Sequence, residues 1–163
     1  MFRPDYPIRT ARLLLRPLQP SDAEAVHAYQ SRADVCRYIP FEPRTLDEVR
    51  KRLASPDRSR STLEEPGQAL LLAVVRAAGD VLVGDVMLAW TSEEHRSGEI
   101  GYVFHPDHHG NGYATEAAAA LLRVGFEGLG LHRIIARVDA RNRASADVLR
   151  RMVEKKLLGE KTG

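Results

Sequence analysis

The run Gly98-Glu-Ile-Gly-Tyr-Val-Phe-His-Pro-Asp-His-His-Gly-Asn-Gly-Tyr-Ala-Thr-Glu116 decides how this chain folds. Gly98 to Phe104 is a β-type run, and Pro106 to Asn111 is a loop. From Tyr113 an alanine-rich stretch predicts a helix to about Leu129, brought to an end by Gly128 and Gly130. Glycines at 110 and 112 permit positive φ and remove the Cβ atoms that would obstruct a ligand. The free amides of a helix start then converge on an anion, helped by the helix dipole. A phosphate site is expected here; the alternative is a tight strand-to-helix turn that holds no ligand.

Outward from this run, β-type segments at Ala69 to Val75 and Val81 to Trp90 flank Ala77-Ala78-Gly79-Asp80 and predict a hairpin. With Gly98 to Phe104 they form an antiparallel meander. Upstream, Thr10 to Leu18 reads as a first strand stopped by Pro17 and Pro20. Two capping-box signatures follow, Ser21-Asp-Ala-Glu24 and Thr45-Leu-Asp-Glu48, each of which predicts a helix. In the second helix Leu46, Val49 and Leu53 form the apolar stripe. Ser55 to Gly67 is a polar, proline-bounded loop. Downstream, His132 to Asp139 reads as a strand and Ala144 to about Lys156 as a last helix. The order β-α-α-β-β-β-α-β-α predicts an α+β fold, a mixed and mostly antiparallel central sheet flanked by helices. With 163 residues and no linker or repeat, a single domain spanning 1–163 is expected.

Two other phosphate motifs fit the glycine loop poorly. A Walker loop requires a lysine after its last glycine, and none is present. The dinucleotide fingerprint requires a parallel βαβ unit and a third small residue where Thr115 stands.

The chain resembles the GNAT superfamily of N-acetyltransferases. The resemblance is carried by Gly98-Glu-Ile-Gly-Tyr-Val-Phe-His-Pro and His-Gly-Asn-Gly-Tyr-Ala-Thr-Glu-Ala. The opening Thr10-Ala-Arg-Leu-Leu-Leu-Arg-Pro, then Leu131-His-Arg-Ile, Asp139-Ala-Arg-Asn and Ser145, are similar to the RimJ/RimL branch of ribosomal-protein acetyltransferases. The resemblance runs in consistent order over roughly residues 8 to 150. It implies an acyl-CoA N-acyltransferase fold and transfer of an acetyl group from acetyl-CoA to a primary amine, a protein N-terminal α-amine or a small molecule. The family's diphosphate cradle maps onto His109, Gly112 and Ala114, within a cofactor-binding set of His109, Gly110, Asn111, Gly112, Tyr113, Ala114 and Thr115. His109 departs from the family's arginine or glutamine, which matters little where backbone amides do the holding.

Acyl transfer to an amine needs a neutral amine, a donor to the developing oxyanion and a proton for the leaving thiolate. Glu99 is the candidate base, with an outward-facing strand glutamate as the alternative. Asp85 is a weaker rival on the adjoining strand, expected at a turn. The resemblance implies an oxyanion donor among the backbone N–H groups near Val103 or Phe104. It implies Asn142 as a ligand of the pantetheine arm and Ser145 as catalytic acid, although both residues are also good helix N-caps. Tyr102 and Trp90 are expected in sheet packing rather than in the acceptor pocket. Acceptor loops are expected at Pro40 to Pro43 and Ser55 to Gly67.

Basic residues exceed acidic ones by two, 24 against 22. The clusters Arg50, Lys51, Arg52; Arg150, Arg151; and Lys155, Lys156 are interleaved with acids and read as solvated helix faces. No nucleic-acid partner is expected. The single cysteine, Cys36, excludes an intrachain disulfide and fits a reducing compartment. No apolar run approaches a membrane span and Met1 to Pro7 carries no secretory segment, so a cytoplasmic protein without a membrane partner is expected. His105, Asp107, His108 and His109 are dense in metal-ligating types, but Pro106 breaks any helix that would align them, and no metal is expected.

Family members usually continue with further strands after the last helix, whereas this sequence reads Val153 to Gly163 and stops. Three outcomes follow: the tail covers the sheet edge, a second subunit completes it as a homodimer, or the site is open and impaired. Completion by a second subunit is the expectation, because bare strand edges are a liability. The different-class alternative is a CoA-binding module without catalysis.

Overall fold

A computed structural model describes residues 1–36, 42–108 and 112–136. Its centre is the expected meander: β3 (Ala69–Arg76), β4 (Val81–Ser92) and β5 (Ser97–Phe104), joined by tight connections. The first hairpin closes through Gly79 and Asp80, both at positive φ (86° and 53°), a conformation that glycine and aspartate tolerate better than most residues. On the other side of β3 lie β2 (Leu13–Pro17) and the two-residue β1 (Ile8–Arg9). β6 (Arg133–Ala136) joins β5, and the sheet order is β1-β2-β3-β4-β5-β6. Every pairing is antiparallel except β5 with β6, where Ser97 to Ile100 register with Arg133 to Ala136 in parallel. A parallel pair requires a crossover. Helix α4 (Tyr113–Arg123), prolonged by a π-type turn at Val124–Gly128, supplies it.

Three more helices precede the meander: α1 (Ala23–Gln30), α2 (Ala33–Cys36) and α3 (Leu46–Ala54). α3 begins as its sequence dictates. Thr45 Oγ1 accepts from the Glu48 amide at 3.2 Å, and Glu48 Oε1 accepts from the Thr45 amide at 3.3 Å. Asp47 and Glu48 in the first turn and Lys51 and Arg52 in the last complement the helix dipole.

The sheet separates two cores. On one face Leu13, Leu15, Leu72 and Leu88 pack with Ala117 and Leu121 of α4. On the other, Val26 and Tyr29 of α1 and Val49 and Leu53 of α3 pack with Ala73 and Val75. Strand alternation assigns the residues between these faces, and Val103 belongs to the second.

Several local expectations are corrected. The Ser21–Glu24 capping box does not form, since α1 starts from Asp22 without a side-chain cap. A 3-10 turn at Pro20–Asp22 precedes it, and there the Gln19 amide donates to Asp22 Oδ2 at 2.8 Å. Asp22 is drawn into this role because Arg16 grips its carboxylate at 2.8 and 2.9 Å. The first strand does stop at Pro17, in register with Leu72, but it begins at Leu13 rather than Thr10. The α-helical part of α4 ends at Arg123, six residues early, and the π-type turn carries the chain on. The Leu129 amide reaches Val124 O at 3.0 Å before Gly130 turns at φ 75°. None of the described helices is long and apolar enough to cross a membrane. The last predicted helix and the sheet-edge completion fall outside the described residues.

Candidate active site

β5 runs directly toward the start of α4, so one stretch of chain carries both a line of strand side chains and a helix N-terminus. Along β5, Glu99 is half-buried and lies in register with Ala89 of β4 and Ile135 of β6. Glu99, Gly101 and Val103 share the α1/α3 face by alternation. Val103 stands opposite Asp85, and Phe104, 6% exposed, stands opposite Gly84 on the α4 face. The strands are very close at this point. A Cβ on Gly84 would lie 2.5 Å from the Val103 carbonyl oxygen and 2.7 Å from the Phe104 ring. Tyr102 and Trp90 pack against the α4-side core, and the Tyr102 ring meets Phe104 edge-on at 6.1 Å.

Gly112 is the N-cap of α4 and adopts a left-handed conformation (φ 78°). It offers no side chain to the first-turn amides, and among the described residues no side chain caps them. Tyr113, Ala114 and Thr115 form the first turn. Thr115 is 9% exposed, and its Oγ1 has no hydrogen-bond partner among the described residues. Orphan donors and a buried hydroxyl therefore gather at one helix end.

An acidic first-turn residue, Glu116, would oppose an anion at that end. It is turned away. Glu116 Oε2 accepts from the Thr10 hydroxyl and from the Arg12 amide at 3.0 Å, and Oε1 accepts from Arg12 Nε at 2.9 Å. Burial pushes the Glu116 carboxyl up, but these hydrogen bonds and the Arg12 charge more than offset it and hold the group below its ordinary value. The Arg12 guanidinium then lies over the Tyr113 ring, 4.6 Å from its centroid. Its Nη2 would be 3.4 Å from a Cβ on Gly112. A cation is thus brought to the start of α4 by a residue that was not a candidate in the sequence. The pair is 104 positions apart, and nothing local announces it.

Asp85 is not at a turn, contrary to expectation. It lies within β4, 9% exposed, opposite both Ala73 and Val103. Its Oδ2 accepts from the Tyr29 hydroxyl and from Gln30 Nε2 at 3.2 Å. Burial pushes its carboxyl up, against the hydrogen bonds from Tyr29 and Gln30 and the charges of Arg44 and Arg52. Burial, followed by the Asp85 charge, raises the Tyr29 phenol well above its ordinary value, so it remains a donor. Gln30 passes the connection on. Its Oε1 accepts from Arg44 Nη1 at 2.8 Å, and its main-chain oxygen accepts from the Arg44 amide at 3.0 Å and the Cys36 thiol at 3.4 Å. With both donors committed to Oδ2, Asp85 is a structural anchor more readily than a base.

The remaining candidates divide in two. His109, Gly110, Asn111, Asn142 and Ser145 fall outside the described residues. His105 and His108 are described, with ring centroids 5.8 Å apart, and His105 Nδ1 accepts from the Asp107 amide at 3.1 Å. Among the described residues no three His, Cys, Asp or Glu side chains converge as metal ligands would.

Comparison with known proteins follows this geometry. Residues 12–152 match the acetyltransferase (GNAT) domain family. The chain is 34% identical over 145 residues to the uncharacterized N-acetyltransferase YnaD of Bacillus subtilis, covering 89% of this chain and 80% of that one. It is 28% identical to the spermidine N(1)-acetyltransferase of Escherichia coli K12, over 90% and 76% of the two chains. A solved GNAT-family acetyltransferase from Bacillus anthracis superposes with a TM-score of 0.74 at 33% identity, covering 93% of this chain and 82% of that one.

Proposed function

This chain belongs to the GNAT acetyltransferase family, and we propose that it transfers an acetyl group from acetyl-CoA to a primary amine by direct attack on the thioester. Acetyl-CoA supplies the activated acetyl group. The first-turn amides of Tyr113, Ala114 and Thr115, with the loop residues His109, Gly110, Asn111 and Gly112, hold the diphosphate. Arg12 adds positive charge at the mouth of that loop. Glu99, directly or through water, takes a proton from the acceptor ammonium, because only the neutral amine carries the lone pair that attacks. A backbone N–H at Val103 or Phe104 donates to the carbonyl oxygen as it gains charge. The new C–N bond forms as the C–S bond breaks; Ser145 gives its hydroxyl proton to the leaving thiolate, and the proton that the attacking nitrogen sheds returns to Ser145. Asn142 orients the pantetheine arm. Within the family the RimJ/RimL-like motifs favour a protein N-terminal α-amine or a small amine in the cytoplasm as acceptor.

One observation carries the reading. α4 starts on a left-handed glycine, and among the described residues its first-turn amides are uncapped and the buried Thr115 hydroxyl has no partner; its own first-turn carboxylate is paired with Arg12 and hydrogen-bonded by Thr10. A helix end stripped of its internal acceptors in this way suits an external anion. The second reading, a CoA-binding module without catalysis, separates cleanly in experiment. Calorimetry with CoA should show saturable binding, and thiol release from acetyl-CoA should depend on an added amine. Glu99→Gln should lower kcat by about a hundredfold, the low end for a general base, with CoA affinity within twofold. Tight CoA binding without turnover across an amine panel would favour the module, and absence of CoA binding by folded protein would end both readings.

A further inference from the structure

The segments expected to frame the acceptor are bordered by arginines. Arg44 precedes α3, Arg52 lies in its last turn, and Arg58 ends the 3-10 turn Pro56–Arg58 that follows. All three are half-buried, which corrects the expectation of a solvated face at Arg52. Arginine is rarely withdrawn from water without a partner. Arg44 is held in place by its two bonds to Gln30, and Gln30 in turn by Asp85. Arg52 and Arg58 form no ion pair with a carboxylate among the described residues. Burial and then the neighbouring charges of Arg44 and Arg58 pull the Arg52 guanidinium down to about 10, and Arg58 also acts on Arg44. An arginine guanidinium keeps its charge at neutral pH.

Among the described residues, the carboxylates that act on Arg44 and Arg52 are Asp85 and Glu48. Asp85 acts on Arg44 and Arg52 from β4, but its carboxylate is already engaged by Tyr29 and Gln30. Glu48 acts on Arg44 from an exposed position on α3. Like charges gathered in a partly desolvated place cost stability, and the helix dipole favours only those at the end of α3. A carboxylate arriving there would relieve the repulsion and match the planar donor fork of arginine.

We infer that the amine acceptor also carries a carboxylate, received by Arg44, Arg52 and Arg58 on the α1/α3 face of the sheet. This is the face on which Glu99 lies, beside the row where Asp85 pairs with Val103. The inference rests on the acetyl-transfer reading and names its substrate class. A polycation, such as the acceptor named for the spermidine acetyltransferase relative, would meet repulsion here.

The test compares kcat/KM for spermidine, phenethylamine, free glutamate and two peptides that differ only in an acidic or basic second residue. The carboxylate-bearing acceptors should exceed spermidine by at least tenfold, and the two peptides distinguish a free amino acid from an acidic N-terminus as the source. Arg52→Gln and Arg58→Gln should each reduce that preference severalfold while leaving the KM for acetyl-CoA unchanged, and Arg52→Lys should restore part of it. Arg52→Gln should fold with a Tm at or above wild type, because it relieves repulsion. Spermidine equal to or better than the acidic acceptors, or unchanged preference in both glutamine variants, would overturn the inference. Thermal shift with glutarate, a non-reacting probe, reads the arginine site without turnover. Stabilisation of wild type but not of the variants upholds the site even where no amine is acetylated, and equal shifts refute it.

Discussion

Glu116 and Asp85 are both drawn out of bulk water, yet they respond to pH in opposite ways. Glu116 is held below its ordinary value of 4.5, so its tie to Arg12 and Thr10 contributes stability above that value and loses it as pH falls through the lowered one. Glu116→Gln should therefore cost about 1–2 kcal/mol at pH 7, from charge-assisted hydrogen bonds. In urea melts at decreasing pH the gap to wild type should close below about 4.5. Asp85 is raised above its ordinary value of 3.8. Its ionised form burdens the fold above the raised value, and that burden disappears as pH falls toward 3.8. Asp85→Asn keeps the volume and an acceptor for Tyr29 and Gln30. Its Tm should exceed that of wild type at pH 8, and the difference should shrink in acid. A lower Tm at pH 8 would mean that the arginine charges outweigh burial.

At the scale of elements, α3 was legible because its cap is written in four consecutive residues. The same signature failed at Ser21-Asp-Ala-Glu24 because Arg16, on the neighbouring strand, captures Asp22 and moves the helix start. The β5-loop-α4 unit was legible for the same local reason, as a strand, two glycines and an alanine run in unbroken order. The β4–β5 contact was less so, since Gly84 reads simply as a strand glycine until Val103 and Phe104 are seen against it. Gly84→Ala would force its methyl into the Val103 carbonyl and the Phe104 ring. A loss of about 2 kcal/mol is expected, in the range for overpacking a tight core site. Because Val103 and Phe104 are the proposed oxyanion donors, kcat should fall as well. Denaturant melts and steady-state kinetics on one preparation check both.

Across the described residues the sequence specified the fold class, the central meander and the helix N-terminus that serves as the candidate anion site, but not the short β1 and α2. What it withheld are contacts between distant positions. Thr10 and Arg12 meet Glu116 at separations of 106 and 104 residues, and Tyr29 meets Asp85 at 56. Hydrophobic periodicity and local motifs carry no information about such pairs, because these are fixed only once the sheet has brought β2 to α4 and α1 to β4. The three half-buried arginines escaped for a related reason: in sequence each resembles any solvated basic residue, and only packing reveals its surroundings.

The sheet between the two cores is a shared wall, with α4 and its glycine start on one side and α1, α3 and the arginines on the other. Selection can therefore remodel one side while the other keeps its shape. Descendants of such a chain can redraft the proposed acceptor side through a short upstream stretch while the proposed carrier grip keeps its shape.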